Sequence, residues 1–218
     1  MELSVPYVRQ PEESVWCGPA SAAMVLKFYG RRVSLQRVVR ELNIKSSRGV
    51  TNAHLASYLL GQGMEVTVQG WPEGMANNLC SKEVLKGKTA IDMLRMGAQN
   101  GTTKKARVFC KELVALAKRG GDIFLGPVTV DDFRKNLESG GLIIASVDLK
   151  SWAGVSRKMG HYVVIYGVTD RDSKASQPCV HLHDPLIVPG MFITVKEILR
   201  VCNSWFGSVI YVSQKAVQ

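Results

Sequence analysis

Cys17 is a candidate nucleophile because it stands at the start of an apolar segment. A cysteine attacks as the thiolate, and a helix N-terminus together with a neighbouring imidazolium lowers the pKa of a thiol to about 3.5–7.5. The segment opens with Gly18 and Pro19 and is closed by Gly30, as a helix with a proline in its first turn and a glycine cap would be. Cys17 would then sit at the N-terminus of a buried central helix. Taken alone, it could equally be a structural cysteine, because free cysteines are often buried.

His161 and Asp184 are the candidates for a base and for the residue that orients it. His161 opens the most apolar segment of the sequence, 161–168, and Asp184 follows the strand-like segment 180–183. In adjacent antiparallel strands the start of one lies beside the end of the other, so the carboxylate could fix the tautomer of the imidazole and stabilise its charge. Either residue alone could be structural, since an aspartate before a proline is common in turns. Their order and contexts, taken with Cys17, favour a catalytic triad.

Helical signals dominate the first part of the sequence and strand signals the part after residue 140. Three helices have predicted caps, at Ser34, at Thr51 and at the capping box of Thr129 with Asp132. One amphipathic helix has Phe109, Leu113 and Leu116 on one face. A last helix spans about 195–202. The predicted strands are 64–68, 142–147, 161–168, 180–183 and 209–212. Short connections among the late strands predict an α+β fold on an antiparallel sheet.

Three motifs in this order resemble the C39-like cysteine peptidases of the papain-like superfamily. They are residues 5–10 followed by 16–21, residues 160–164, and residues 183–185, and the resemblance covers roughly residues 4–70 and 128–213. It implies a papain-like α+β fold, in which the nucleophile starts a central helix packed on an antiparallel sheet.

The resemblance also implies a role for four residues. Cys17 would be the nucleophile, His161 the general base and acid, and Asp184 the residue that orients the imidazole. Gln10 would donate to the oxyanion hole beside the Cys17 backbone N–H, and such a donor is worth about 2.7–4 kcal/mol in the transition state.

Thiol-dependent acyl chemistry is the function that this resemblance implies. Cys17 would attack a carbonyl, form a thioester and release it to water, which makes hydrolysis of a peptide or protein amide bond the expected reaction, without a cofactor. The same triad would serve an acyltransferase or a transamidase. A non-catalytic protein-binding module is the third interpretation, and the complete triad argues against it.

A single domain, 1–218, with an insertion at about 71–126 is expected from the length and pattern of the chain. The insertion is more charged than its surroundings and would form a lid or shape the substrate cleft. Its length and the tail at 190–205 also loosely resemble eukaryotic guanylyl cyclase domain-containing proteins of the same fold. No cyclase activity is inferred, because the sequence has no glycine-rich phosphate loop.

The net charge of +10 predicts attraction for an acidic partner. Basic residues gather at 31–40 and 104–119, but aromatic residues are not interleaved with them, which argues against nucleic acid. Solvated helix faces on a basic protein are the explanation that the sequence favours for these charges.

A cytoplasmic protein is expected from the cysteines and from the start of the chain. Five cysteines form no CxxC pair, no apolar run approaches the ~18 residues of a membrane span, and no secretory signal is visible. His181 and His183 would share one strand face and could bind zinc with a third ligand, but no such ligand is evident, so no metal site is predicted.

Overall fold

The computed structural model describes residues 2–44, 49–71, 84–149, 152, 160–170, 177–203 and 209–215. Its helices are α1 (Cys17–Phe28), α2 (Leu35–Glu41), α3 (Asn52–Gly61), α4 (Gly87–Asn100), α5 (Lys104–Lys118), α6 (Val130–Glu138) and α7 (Val195–Cys202). Its strands are β1 (Met64–Gln69), β2 (Asp122–Phe124), β3 (Leu142–Asp148), β4 (Gly160–Thr169), β5 (Cys179–His183), β6 (Met191–Thr194) and β7 (Val209–Gln214). None of the described helices combines the length and the apolar character needed to cross a bilayer.

One seven-stranded sheet has the order β2-β1-β7-β3-β4-β5-β6. All neighbouring strands are antiparallel except β1 and β2, which are parallel. The α+β class and the papain-like arrangement of a central helix on a largely antiparallel sheet are therefore confirmed. The sequence did not predict the edge strands β2 and β6, because three and four residues are too few for a clear alternating pattern.

Helices cover both faces of the sheet. On one face, α1, α3 and α5 form a hydrophobic core with Leu142 and Ile144 of β3. On the other face, α6 and α7 pack with Ile143, Ala145 and Val147. Successive strand residues point to opposite faces, so all seven residues of β3 are buried. This double burial explains why β3 is an unbroken apolar run in the sequence.

The predicted central helix is α1. It begins at Cys17, and its residues up to Leu26 are all buried. It packs against β4, the strand that begins with Gly160 and His161. Just beyond its end, Gly30 has a φ of +77°, a left-handed conformation that suits glycine. The sequence therefore predicted both ends of this helix.

Side-chain caps begin three helices where the sequence placed them. Ser34 and Thr51 each accept a hydrogen bond from the backbone N–H of the third residue of the helix that follows. Thr129 and Asp132 form the complete capping box of α6. Such a cap is typically worth about 1 kcal/mol of stability.

The segment at about 71–126 contains two helices among its described residues. The predicted amphipathic helix is α5, and its apolar face is buried as expected. The sequence pattern did not predict α4, whose buried residues are Ala90, Leu94 and Gly97. Two of these three are small, so the apolar stripe of α4 is weak in the sequence. The division of the chain into one domain with an insertion stays a prediction.

Candidate active site

His161 and Asp184 meet at one end of the antiparallel pair β4–β5. The Nε2 atom of His161 and the Oδ1 atom of Asp184 are 2.8 Å apart, and because a carboxylate can only accept, Nε2 carries the proton. Both side chains are buried, at 3% and 0% exposure. The contact follows from the strand arrangement on which the sequence prediction depended: His161 opens its strand, and Asp184 comes directly after the next one.

Cys17 lines the same cavity as His161. As the first residue of α1 it is 9% exposed, and it is close enough to His161 to help raise the pKa of that ring. Since Nε2 faces Asp184, Nδ1 is the nitrogen left for the thiol. Burial lowers the pKa of His161, but the hydrogen bonds and charges of Asp184 and Cys17 outweigh it and raise that pKa to about 9. The ring therefore holds a second proton at neutral pH.

A tight loop after β5 fixes the carboxylate of Asp184. Besides His161, its Oδ1 atom accepts hydrogen bonds from the backbone N–H groups of Leu186, at 2.8 Å, and Ile187, at 3.2 Å. The backbone N–H of Asp184 donates to the carbonyl of Val188. Residues 184–190 are named the Asp184 loop below. The aspartate is thus both a turn residue and the partner of the histidine, two interpretations that the sequence had presented as alternatives.

Gln10 lies near Cys17, and its side-chain amide is hydrogen-bonded to Ser14. Its side chain is 4% exposed and lines the same cavity as the cysteine. The Nε2 atom donates to the carbonyl of Ser14 at 3.0 Å, which leaves the second hydrogen of the amide for another acceptor. Its backbone N–H donates to the carbonyl of Pro185, so Gln10 is tied to the Asp184 loop.

An N-terminal strap, residues 2–10, runs along the sheet and ends at the site. Glu2 forms a bridge with Gly167 of β4, and the backbone N–H of Leu3 donates to the carbonyl of Tyr166. Farther along, the hydroxyl of Tyr7 donates to the backbone carbonyl of Asp184 at 3.0 Å. In the sequence this segment stands out only as a motif, because its contacts lie more than 150 positions away in the chain.

A cavity of about 860 Å³ opens beside Cys17 and His161. Its opposite wall comes from the start of α3 and from α5. The residues of this wall are Val50, Thr51, Asn52, Lys104, Lys105, Val108, Phe109 and Glu112. Thr51 donates to the carboxylate of Glu112 at 2.8 Å. The sequence had shown which face of α5 enters the core but not that a neighbouring face would line the site.

Both ring nitrogens of His183, one of the two histidines that share a strand face, contact backbone groups. Its Nε2 atom lies 3.0 Å from the carbonyl of Val5, and its Nδ1 atom accepts the backbone N–H of Gly190 at 3.0 Å. Both nitrogens are occupied, so neither has a lone pair for a metal. His181 instead pairs with Glu2 at 3.3 Å. In the part of the chain that the structure describes, no three potential ligands cluster.

Comparisons with known proteins give one family and two related structures. The sequence model of the Peptidase C39 like family matches residues 2–191. Comparison with curated protein sequences gives no match. A double glycine motif protease from an AMS/PCAT transporter, in complex with the leader peptide, is 16% identical with a TM-score of 0.48, and the alignment covers 98% of this chain and 94% of that chain. The peptidase domain of Streptococcus ComA, a bifunctional ABC transporter in quorum sensing, is 17% identical with a TM-score of 0.45, covering 95% and 97%.

Proposed function

This chain belongs to the Peptidase C39 like family and is a cysteine peptidase-like enzyme, and we propose that it cleaves a peptide amide bond through a thioester on Cys17. The observation that carries the proposal is the position of one imidazole. The His161 ring contacts the Asp184 carboxylate and interacts with Cys17, and Cys17 and His161 both line a large cavity. In this order the three side chains form a nucleophile, a proton carrier and an orienting group.

In the first half of the proposed reaction, the substrate acylates the enzyme. The Cys17 thiolate attacks the carbonyl carbon of the scissile bond, and the electron pair of the C=O bond moves to its oxygen. As the tetrahedral intermediate collapses, the C–N bond breaks and His161 gives its second proton to the leaving amine. The products are a free amine and a Cys17 thioester. The pKa of about 9 supports this role, because it keeps the proton on the ring until it is needed.

In the second half, water releases the acyl group. The neutral His161 removes a proton from the water as its oxygen attacks the thioester carbonyl. The C–S bond then breaks, which frees a carboxylic acid and returns the thiolate beside the protonated ring. Asp184 stays ionised throughout and holds the ring in place by its bond to Nε2.

We assign the oxyanion hole to the backbone N–H of Cys17 and the side chain of Gln10. The first residue of α1 has no intrahelical acceptor for its N–H, so this group is available to a substrate oxygen. Gln10 has one amide hydrogen beyond its bond to Ser14. A donor of this kind is worth about 2.7–4 kcal/mol of transition-state stabilisation.

The substrate that we propose is a peptide or an extended protein segment. A cavity of about 860 Å³ is large enough for several residues. We propose that the insertion at about 71–126 shapes the cleft through α5, which carries Lys104 and Lys105 on the cavity wall. These two cations favour an acidic residue in the bound segment, which is where we place the acidic partner predicted from the net charge.

The thiols support a reducing, cytoplasmic setting. Cys17, Cys110, Cys179 and Cys202 are buried and outside any disulfide bond. Cys80 lies outside the described residues. A nucleophilic thiol persists where glutathione and thioredoxin keep cysteines reduced.

Digestion of a mixed peptide library, read by mass spectrometry, tests this function. We expect new termini with the wild-type chain and with Cys179→Ser, a control whose hydroxyl can still donate to the carbonyl of Gln177. We expect none with Cys17→Ser. Cleavage that survives Cys17→Ser would exclude the mechanism. Hydroxylamine in the same reaction reveals acyl transfer as hydroxamate products, and the absence of both products would favour a non-catalytic binding module.

A further inference from the structure

The ring of His183 joins three segments of the chain. It belongs to the last residue of β5 and is 7% exposed. Its Nε2 atom contacts the carbonyl of Val5 in the N-terminal strap, and its Nδ1 atom contacts the N–H of Gly190 at the end of the Asp184 loop. The ring packs edge-on against Tyr7, with centroids 5.6 Å apart, and tilted against Tyr166 of β4, at 4.4 Å. A side chain with this set of contacts cannot move without moving the strap or the loop.

The two hydrogen bonds define one protonation state of the ring. A carbonyl oxygen only accepts, so Nε2 of His183 must carry the hydrogen that points to Val5. An N–H group only donates, so Nδ1 must be bare to accept from Gly190. The ring is therefore the neutral Nε2–H tautomer. A second proton would place a hydrogen on Nδ1, facing the N–H of Gly190. The hydrogen bond between His183 and the Asp184 loop would then be lost.

We propose that His183 is a positioning residue, which holds the N-terminal strap and the Asp184 loop together so that the catalytic side chains keep their geometry. This inference rests on the proposed function. The loop places the carboxylate of Asp184 through the N–H groups of Leu186 and Ile187. The strap places Gln10, whose backbone N–H reaches the same loop at Pro185. The positions of Asp184 and Gln10 thus depend on two segments that the ring of His183 connects.

Other groups around the ring set its response to pH. Glu2 of the strap contributes a negative charge, and Tyr7 and Tyr166 flank the ring with uncharged phenols. Burial lowers the pKa of His183 and outweighs the opposing effects of the Val5 carbonyl and of Glu2. The neutral tautomer therefore persists to pH values below 6.5, the ordinary value for histidine.

The test measures alkylation of Cys17 by iodoacetamide, by mass spectrometry, together with the NMR titration of His161. His183→Asn keeps an acceptor for Gly190 but has no donor that reaches Val5, so it releases the strap alone. We expect the alkylation rate at pH 6 to fall about tenfold, the lower end of what loss of an orienting partner costs. We expect the titration of His161 to move to lower pH. His183→Gln, with a longer amide that can reach Val5, should restore part of the rate.

Two controls keep the inference separable from the proposed function. His54→Asn changes the exposed histidine of α3 and should alter neither readout. If His183→Asn lowers only the melting temperature, while His161→Ala still slows alkylation, His183 is merely structural and the inference is wrong. If Cys17 is alkylated as fast in His161→Ala as in the wild-type chain, the proposed function fails, and the positioning role fails with it.

A measurement on the unmodified protein covers the case in which His183→Asn does not fold. Long-range ¹H–¹⁵N correlation spectra assign the hydrogen of a histidine ring to one of its nitrogens. We expect His183 to show the Nε2–H tautomer down to pH values below 6.5. A protonated Nδ1, or titration at 6.5 like an exposed imidazole, would overturn the inference.

Discussion

Thr51 donates a 2.8 Å hydrogen bond to the carboxylate of Glu112, which lies 61 positions later in the chain. Thr51 also caps α3 by accepting the backbone N–H of His54. One hydroxyl thus starts a helix and joins it to α5 across the wall of the cavity. The segment 71–126 is attached to the active site by this contact as well as by apolar packing.

Thr51→Val should loosen this wall, because valine keeps the shape of threonine but loses both hydrogen bonds. We expect a loss of about 0.5–2 kcal/mol in the free energy of unfolding from the cap alone, measured by urea denaturation. We also expect a higher KM for library peptides. Thr51→Ser retains both bonds and is the matched control. An equal change in KM for the two variants would show that Glu112 does not depend on Thr51 for its position.

His161→Ala should remove the enhanced reactivity of Cys17 below pH 7. Without the imidazolium, the thiolate loses its neighbouring positive charge. We expect alkylation of Cys17 by iodoacetamide at pH 6 to slow by about tenfold or more. The rate at Cys110 in the same samples is the internal reference. An unchanged pH profile at Cys17 would mean that the two side chains do not act together.

Asp184→Asn should move the alkaline limit of activity to lower pH. The carboxylate helps raise the pKa of His161 above 6.5 to about 9, so its loss lowers that pKa. The ring then gives up its second proton earlier as the pH rises, and no general acid remains for the leaving amine. The pH dependence of single-turnover cleavage and the NMR titration of His161 both report this shift. If the alkaline limit of activity stays near pH 9 in Asp184→Asn, a group other than His161 determines it.

The same pKa has a consequence for stability. Because the folded value lies above the ordinary 6.5, protonated His161 stabilises the fold fully below pH 6.5, and this contribution is lost as the pH rises through about 9. Denaturation curves between pH 6.5 and 9 should therefore show a larger loss of unfolding free energy for the wild-type chain than for Asp184→Asn. Parallel curves for the two proteins would contradict the expectation.

Gly18→Ala should disturb the site although it adds one methyl group. A Cβ atom at Gly18 would lie 2.3 Å from Cγ1 of Val50 and 3.3 Å from the ring of Tyr162. We expect a loss of about 1–3 kcal/mol from overpacking, measured by urea denaturation, together with slower alkylation of Cys17. The control is Gly49→Ala, whose Cβ would meet nothing closer than 3.9 Å. The double variant Gly18→Ala with Val50→Ala should recover stability, and a failure to do so would place the strain elsewhere.

The sequence predicted the meeting of His161 and Asp184 because strand order alone determines it. Antiparallel neighbours bring the start of one strand to the end of the next, and no knowledge of side-chain packing is needed. The position of Cys17 followed in the same way from the proline and glycine signals of α1. These features depend on local patterns and on a single rule of topology.

The remaining parts of the site depend on contacts that no local pattern records. The periodicity of α5 identified its core face but gave no information on which neighbour its other faces meet, so Glu112 was missed. His183 was considered as a metal ligand because the alternation of side chains along a strand shows only the face on which a side chain lies. It does not show which backbone groups the ring nitrogens contact. Gln10 came from resemblance alone, and its bond to Ser14 could not be foreseen.

The side chains of the candidate site come from distant parts of the chain, and this has a consequence for biosynthesis. Cys17 begins α1, whereas His161 opens β4 much later in the chain, and Asp184 follows β5, 23 positions after His161. The strap is made before β4 and β5, so it lacks its partners Tyr166 and Asp184 until those parts of the chain exist. A nascent chain therefore carries the Cys17 thiol without its neighbour His161 until β4 has been made. The proposed peptidase activity accordingly requires a chain in which both β4 and the Asp184 loop have formed.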